Sequence, residues 1–372
     1  MNRSLIPFLL TMFSVFMLFE ISFFWTAIRY FKVQKSLYIP LILYTVFTYL
    51  FLIYNILTFD RSIGVKHSFY WALGFLLLHW VPKFITILFW ATGALAIKIP
   101  QLFSDTSNLE VLESRRSFVG KLGLLVATIP FSGIVYGMWK GRYAFKVFLH
   151  QLSFDELPKA FDGLKILQIS DIHSGSLTNI SEIEKAIALI NAQDFDLFLF
   201  TGDIVNSKAD EFSPWVSVFN KIKTPRFGKF SVLGNHDYGE YLDWNSEQEK
   251  QANFKAIQDL HEKVGFKLLN NAHEVIHKDG ERLSVVGVEN WGAKFKKLGD
   301  LDAASKGLSP TDFKVLMSHD PSHWEYQIKD HPMNFQLTLS GHTHGMQFGI
   351  EIPGFIQWSP IKYVYKLSLI HI

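Results

Sequence analysis

The sequence predicts an α/β unit preceded by a helical membrane region of about four spans. Three observations carry this. Four apolar runs, each near the ~20 residues that cross a bilayer, crowd the first 140 positions. From Leu164 onward, short apolar stretches with strand character alternate with helix-length segments. Strand after strand then ends in a side chain able to ligate a metal.

Composition narrows the chemistry. The 372 residues are 49% hydrophobic and 16% aromatic, with a formal net charge of +2. That balance gives no case for nucleic acid. There is no cysteine, which excludes a disulfide framework, a thiolate metal site and a cysteine nucleophile. Any metal must use His, Asp, Glu or Asn.

The membrane region, taken as residues 1–140, reads run by run. Residues 5–28 carry one charge, Glu20, and residues 37–59 carry none. Residues 71–97 are apolar apart from His79 and Lys83, and residues 118–139 apart from Lys121. Buried helices of a soluble core would show a polar face every 3.6 residues, and these do not. The first run is too long for a signal peptide, and no small-x-small cleavage site follows Trp25. Glu20, His79 and Lys83 are expected to snorkel or to join helices rather than to line a path. Residues 104–117 read as a polar loop between the last two spans. Basic residues outside the spans divide seven against six between the two sides, so orientation rests on Ser114-Arg115-Arg116-Ser117-Phe118. That stretch is similar to a twin-arginine export signal and places the following domain outside the cytoplasm of a bacterial-type cell membrane.

The second part, residues 141–372, opens with a lead-in strand over 143–154 and a turn over 155–163. Residues 164–169 form a strand ending in Ser170-Asp171-Ile172-His173. A helix over 181–192 follows, with Ser181 and Glu184 as its capping box. The strand 195–200 ends in Thr201-Gly202-Asp203 and leads to a helix over 210–222. The strand 230–233 ends in Gly234-Asn235-His236-Asp237 and leads to a helix over 247–264. Strands 268–276 and 282–288, joined through Asp279-Gly280, belong to a second sheet region. Strand 315–317 ends in Ser318-His319, and strand 335–339 in Ser340-Gly341-His342-Thr343-His344.

Strand carboxyl ends gather at one edge of an α/β sheet, so Asp171, His173, Asp203, Asn235, His319, His342 and His344 can converge there. Hard oxygen and imidazole donors without sulfur suit Mn, Fe, Zn or Mg. Seven candidate ligands are too many for one tetrahedral ion and suit two.

In this order and spacing, the motifs over about half the chain resemble the calcineurin-like metallophosphoesterase family, in a membrane-anchored branch. The resemblance implies a four-layer sandwich: two mixed β-sheets flanked by helices. It implies one metal held by Asp171, His173, Asp203 and His344, and a second by Asp203, Asn235, His319 and His342, with Asp203 bridging. A hydroxide between the metals would attack phosphorus in line, and His236 would donate the proton to the leaving group. Asp237 is expected to hydrogen-bond a ligand or to set the tautomer of His236. Asn206 stands where the family often has Asp, which bears on outer contacts rather than on the ligands themselves.

The expected activity is therefore hydrolysis of phosphoester or pyrophosphoester bonds. The expected partners are the bilayer and a phosphoester substrate, lipid-linked by preference, with no nucleic acid or protein partner. Alternatives are an anchored enzyme for soluble phosphoesters, or a non-catalytic metal-binding membrane scaffold or receptor. Tyr238, Tyr241, Trp244, Trp291, Trp324 and His323 stand near the motifs, where they pack or line a groove. The last six residues, LSLIHI, stop abruptly, and the carboxyl terminus is expected to be truncated or chimeric, with His371 not a ligand.

Overall fold

The computed structural model describes residues 5–29, 35–101, 109–344, 350–352 and 356–358. The chain divides into two compact units, Met1–Asp60 with Val65–Arg142, and Arg61–Gly64 with Tyr143–Ile372. The abrupt end and His371 lie outside the described residues.

The first unit is four helices: α1 (Leu5–Arg29), α2 (Lys35–Leu57), α3 (His67–Gln101) and α4 (Leu109–Trp139). Tyr38–Leu57, His67–Ala96 and Ser117–Trp139 are long and apolar enough to cross a bilayer, and α1 contains a shorter apolar stretch, Ser14–Ile28. The polar loop expected over 104–117 is helical from Leu109 onward. Its Leu-Glu-Val-Leu-Glu sequence holds no helix breaker, and polarity alone does not stop a helix.

Glu20, His79 and Lys83 do not snorkel. They meet inside the unit, each almost wholly buried. His79 Nε2 lies 2.7 Å from Glu20 Oε1, and Lys83 Nζ donates to Glu20 Oε2 at 2.7 Å. Tyr49 of α2 donates to Glu20 at 3.0 Å and accepts from Trp80 at 3.0 Å. A charge in hydrocarbon is tolerated when its partner is at hand, and this network ties α1, α2 and α3 together.

The second unit alternates strands and helices in the order β1 (Ile166–Ile169), α5 (Ile180–Asn191), β2 (Leu197–Phe200), α6 (Val216–Phe219), β3 (Lys229–Ser231), α7 (Glu247–Lys263) and β4 (Lys267–Leu268). It continues with β5 (Ala272–Lys278), β6 (Glu281–Gly287), α8 (Leu301–Ala304), β7 (Lys314–Met317), α9 (Ser322–Tyr326) and β8 (Leu337–Leu339), then β9 (Ile350–Ile352) and β10 (Ile356–Trp358), which form an antiparallel pair. One sheet runs β1-β2-β3-β4, all parallel; the other runs β5-β6-β7-β8, with only β5 antiparallel to its neighbour.

Burial explains the four layers. Along β2, Phe198 and Phe200 point to one face and pack with Ile183, Ile187, Ile257 and Leu260 of α5 and α7. Leu197 and Leu199 point to the other face and meet Leu283, Val285, Val315 and Met317 of the second sheet. The far face of that sheet, through Val286 and Leu316, packs on Leu301 and Ala304 of α8. A strand buried on both faces needs an unbroken apolar run, which is why β2 reads Leu-Phe-Leu-Phe.

Several elements depart from the sequence expectation. Residues 144–154 form no strand, because no neighbouring chain offers them a ladder among the described residues. Helix α5 is capped two residues earlier than expected: Asn179 Oδ1 accepts the backbone N–H groups of Ser181 and Glu182. The helix expected over 210–222 is a 3₁₀ turn, Ala209–Trp215, followed by the short α6. Pro214 within it lacks the N–H that a regular helix would use. The strand expected over 268–276 is two strands in different sheets, split at Asn271, whose φ is 49°.

Candidate metal centre

The candidate ligands sit on loops that leave the strand carboxyl ends and bend sharply. Eight non-glycine residues have positive φ among those described; five are Asp171 (53°), His173 (44°), Asp203 (60°), His342 (69°) and His344 (48°). Such backbone costs energy and persists where the surroundings impose it, characteristically at functional sites. Here the loops after β1 and β2 are laced together: Asp171, His173 and Ser174 donate their N–H to the carbonyls of Gly202, Asp203 and Ile204.

Two glycines make the crowding possible. Gly202 has φ +100°, and a Cβ there would lie 2.5 Å from Gly234 N and 2.9 Å from His319 Nδ1. A Cβ on Gly341 would overlap Ser170 Oγ and the Asp171 carboxylate, so only glycine lets the β8 loop cross the β1 loop.

All seven candidate ligands come together. Ligand atoms of Asp171, His173 and His344 lie within 4.8 Å of one another, as do those of Asp203, His319 and His342. A third group of the same span joins His173, Asp203 and His236. Nε2 of His173 and of His344 face each other at 3.2 Å. Asn235 Oδ1 lies 3.1 Å from His319 Nε2 and 2.7 Å from His342 Nδ1. Its Nδ2 donates to Tyr241 OH at 2.7 Å, which turns the amide oxygen toward the centre.

The donors fit divalent ions. Asp203 is fully buried; its Oδ1 accepts the His236 N–H at 2.8 Å, and its Oδ2 has no hydrogen-bond donor. Nitrogens of His319 and His173 stand 3.2 Å and 3.5 Å from that Oδ2. A buried, undonated carboxylate oxygen ringed by imidazoles is a cation position.

The electrostatics favour a positive charge beside Asp203. Burial raises the Asp203 carboxyl, but His319 and His173 outweigh it and hold the group far below the carboxylate range. Burial disfavours the His319 imidazolium, yet Asp203 and Asp171 overcome it and raise this ring to about 10, so a proton on Nε2 competes with a metal for the place beside Oδ2. His319 Nδ1 donates to the Thr201 carbonyl at 2.7 Å, so Nε2 is the atom turned to the centre. Burial takes His173 down to about 4, leaving it neutral and ready as a ligand at neutral pH.

Of the two contacts expected for Asp237, the structure has the one to a candidate ligand. Asp237 does not touch the His236 ring. It is fully buried and accepts the backbone N–H groups of Asp203, Ile204, Val205 and Gly234. It thus buttresses the candidate ligand Asp203 through its backbone. The tautomer of His236 is set by Asn206, whose carbonyl accepts from Nδ1 at 2.7 Å. Because that contact is a backbone one, Asn in place of Asp at 206 leaves it intact; the Asn206 side chain instead bonds Ser176 at 3.0 Å.

Of the aromatic candidates, Tyr241 is at the centre, stacked on His236 with centroids 4.4 Å apart. Tyr238, Trp244, Trp291 and His323 are occupied in packing. Tyr238 bonds Glu289, Trp244 bonds the Gly239 carbonyl, and Trp291 stacks on His323. Two neighbours had no sequence signal: Asp320, 3.7 Å from His342 Nε2, and Phe295, edge-on to His342 at 4.9 Å. Asp320 is beside the candidate ligand His319 in sequence, and that adjacency was the only available hint.

Comparison with known proteins agrees with this geometry. Residues 2–142 match the family described as a probable calcineurin-like phosphoesterase transmembrane domain, and residues 164–346 match the calcineurin-like phosphoesterase family. The chain is 29% identical over 260 residues to the uncharacterized metallophosphoesterase YkuE of Bacillus subtilis, covering 68% of this chain and 84% of that one. It is 23% identical over 279 residues to a transmembrane protein with metallophosphoesterase domain of Danio rerio, covering 73% of this chain and 60% of the relative. It is 27% identical over 233 residues to the UDP-2,3-diacylglucosamine pyrophosphatase LpxG of Chlamydia muridarum, covering 54% and 70%. With two sheets flanked by helices, apolar helices ahead of them and His and Asp groups able to hold divalent metal, this chain belongs to the calcineurin-like phosphoesterase family, as a membrane metallophosphoesterase.

Proposed function

We propose that this chain hydrolyses phosphoester or pyrophosphoester bonds in lipid-linked substrates of its own membrane, with two divalent ions. Asp171, His173, Asp203 and His344 would hold one ion; Asp203, Asn235, His319 and His342 would hold the other. The observation that carries this is the undonated Oδ2 of buried Asp203, placed among rings of both sets. Two such ions supply charge neutralisation on phosphoryl oxygens and a lowered pKa for water.

The chain's own residues do the rest. His236 Nδ1 donates to the Asn206 carbonyl, so Nε2 is the position that exchanges a proton with a leaving oxygen. Tyr241 stacks on that ring and restricts its rotation. Asp237 holds the backbone of Asp203 in its left-handed conformation. The lipid-linked class is supported by the membrane helices and by the named activity of the LpxG relative. The side of the membrane is proposed as extracytoplasmic, on the Arg115-Arg116 pair ahead of the last span; those two side chains lie outside the described residues.

The test uses the full chain in nanodiscs, assayed with Mn²⁺ and with chelator on mono-aryl and bis-aryl phosphates and on a diacyl pyrophosphate lipid. Asp203→Asn should lose both turnover and bound metal, counted by elemental analysis. Folded, metal-loaded wild type that turns over none of the three would overturn the proposal.

A further inference from the structure

Exposed large apolar side chains in the second unit are concentrated rather than scattered. Among the described residues they occur at Ile63, in the short stretch whose Arg61 carbonyl accepts from Asp243 N–H, in the segment after Tyr143, where Phe148 is exposed and Leu149 is 89% exposed, and in the loops and first helical turns following β1, β3, β6 and β7. Those connections bring Ile180 at the start of α5, Tyr241, Phe295 and Trp324 of α9 to the surface. They are also the loops at the metal-bearing edge: Tyr241 stacks on His236, and Phe295 touches His342. The connections at the opposite edge, leading into β2, β3, β4 and β7, expose none among the described residues. One-sided exposure of this kind marks an interaction face.

The segment after Tyr143 is tied to that same edge. Tyr143 OH pairs with Thr178 Oγ1 at 2.8 Å, in the loop that carries Asp171 and His173. Tyr143 and Phe145 also pack against the same buried cluster as Ile172 and Leu177 of that loop. Tyr143 follows Trp139, the last residue of a membrane-spanning candidate, by four residues. A chain of that length reaches at most about 14 Å. From Trp139 to Phe154 the sequence carries Lys140, Arg142, Lys146 and His150 and no acidic residue. Basic and apolar side chains interleaved beside a span match the interface of an anionic bilayer, where the cations meet lipid phosphates and the apolar groups enter the acyl boundary.

We propose that the metal-bearing edge and the segment over residues 144–152 form one docking face whose occupant is the surface of an anionic lipid bilayer. The metal centre then opens toward headgroups rather than toward bulk water. This rests on the proposed function only for its consequence, direct access to lipid-borne phosphoesters.

The chain has no cysteine, so single-cysteine variants can be labelled cleanly. Leu149→Cys, Ile180→Cys and, as control, Lys306→Cys in an exposed turn ahead of β7 would each carry an environment-sensitive fluorophore. The labelled full chain would go into nanodiscs of phosphatidylglycerol or phosphatidylcholine containing headgroup-proximal nitroxide lipid. The expected result is a blue shift and strong quenching at 149 and 180, greater in phosphatidylglycerol, and neither at 306. Quenching at 149 and 180 no stronger than at 306 would overturn the proposal. So would a blue shift without quenching that grows with chains per disc, which would assign the face to a second copy. A second arm compares Phe148→Ser/Leu149→Ser with wild type. The double variant should lose about tenfold in kcat/KM on a phosphodiester lipid in the bilayer and nothing on soluble bis-aryl phosphate; equal loss on both would count against docking. Wild type inactive on every substrate, with quenching intact, would sink the enzymatic reading and leave the docking face standing.

Discussion

Asp237→Asn replaces one carboxylate oxygen with an amide NH₂ at a fully buried position. In the wild type, Oδ1 accepts from Ile204 and Val205 at 2.9 Å and 3.4 Å, and Oδ2 from Asp203 and Gly234 at 2.9 Å and 2.8 Å. All four donors are backbone groups that cannot turn away. Whichever way the amide sits, its NH₂ faces two N–H groups. The cheaper orientation points it at the long Val205 bond and the Ile204 bond, sacrificing one good contact and one weak one. A buried donor left unsatisfied costs about 1–3 kcal/mol, so the variant should lose roughly 2–4 kcal/mol of stability in the second unit. Asp203, held at φ 60° partly by this carboxylate, should relax, and metal affinity should fall with it. Hydrogen exchange of the β2 and β3 amides reports the stability of this unit without a two-state assumption for the whole chain. Their protection should drop by roughly 30- to 1,000-fold, tenfold for each 1.4 kcal/mol. A drop under threefold, with bound metal unchanged, would refute the view that these loops are built around one buried acceptor.

Three other perturbations reach other parts of the chain. Burial lowers His261, on α7 beside Ser231, from 6.5 to about 3. An unfolded His therefore takes up a proton while the folded one does not, and stability present above pH 6.5 is lost as pH falls below it; at pH 5 the loss is about 2 kcal/mol. His261→Gln should remove that share of the pH 7 to pH 5 difference in strand-amide protection, and an unchanged difference would count against the burial argument. Lys83→Met leaves Glu20 buried beside Tyr49 and His79 without its cation. It should destabilise the helical unit by roughly 3–5 kcal/mol, read by thermal unfolding in micelles, with much of the loss recovered in Glu20→Gln/Lys83→Met. Tyr241→Phe removes the acceptor that orients Asn235; the expected loss is about 1 kcal/mol, or about fivefold in affinity for one of two metal equivalents by titration, with melting unchanged.

Much of the architecture was legible because its signals are local. Whether a run of residues crosses a bilayer depends on its own length and polarity, and β2 showed its two buried faces as four consecutive apolar residues. The candidate ligands were legible for the same reason, each standing just after an apolar strand beside a glycine or a turn. Residues 144–154 misled because alternation describes a strand only when a neighbour supplies hydrogen bonds, and none does among the described residues. Of the two roles the sequence offered for Asp237, the structure has the contact to the candidate ligand Asp203, through its backbone N–H, and not the contact to the His236 ring; sequence proximity alone does not choose between them.

By itself, then, the sequence determined the membrane helices, the strand-and-helix alternation and the residue types offered at the strand ends, all of which follow from neighbouring side chains. The tertiary structure alone decided the partners: Glu20 with Lys83, His79 and Tyr49 across three helices, Tyr241 on Asn235 and His236, Asn206 as the carbonyl behind His236, and the left-handed backbone at five candidate ligands. The pairs around Glu20 and the Asn206–His236 contact span 29 to 63 positions, and the Tyr241 contacts, though near in sequence, need a turn that brings its ring back over the site; both exist only once the sheets and helices have packed.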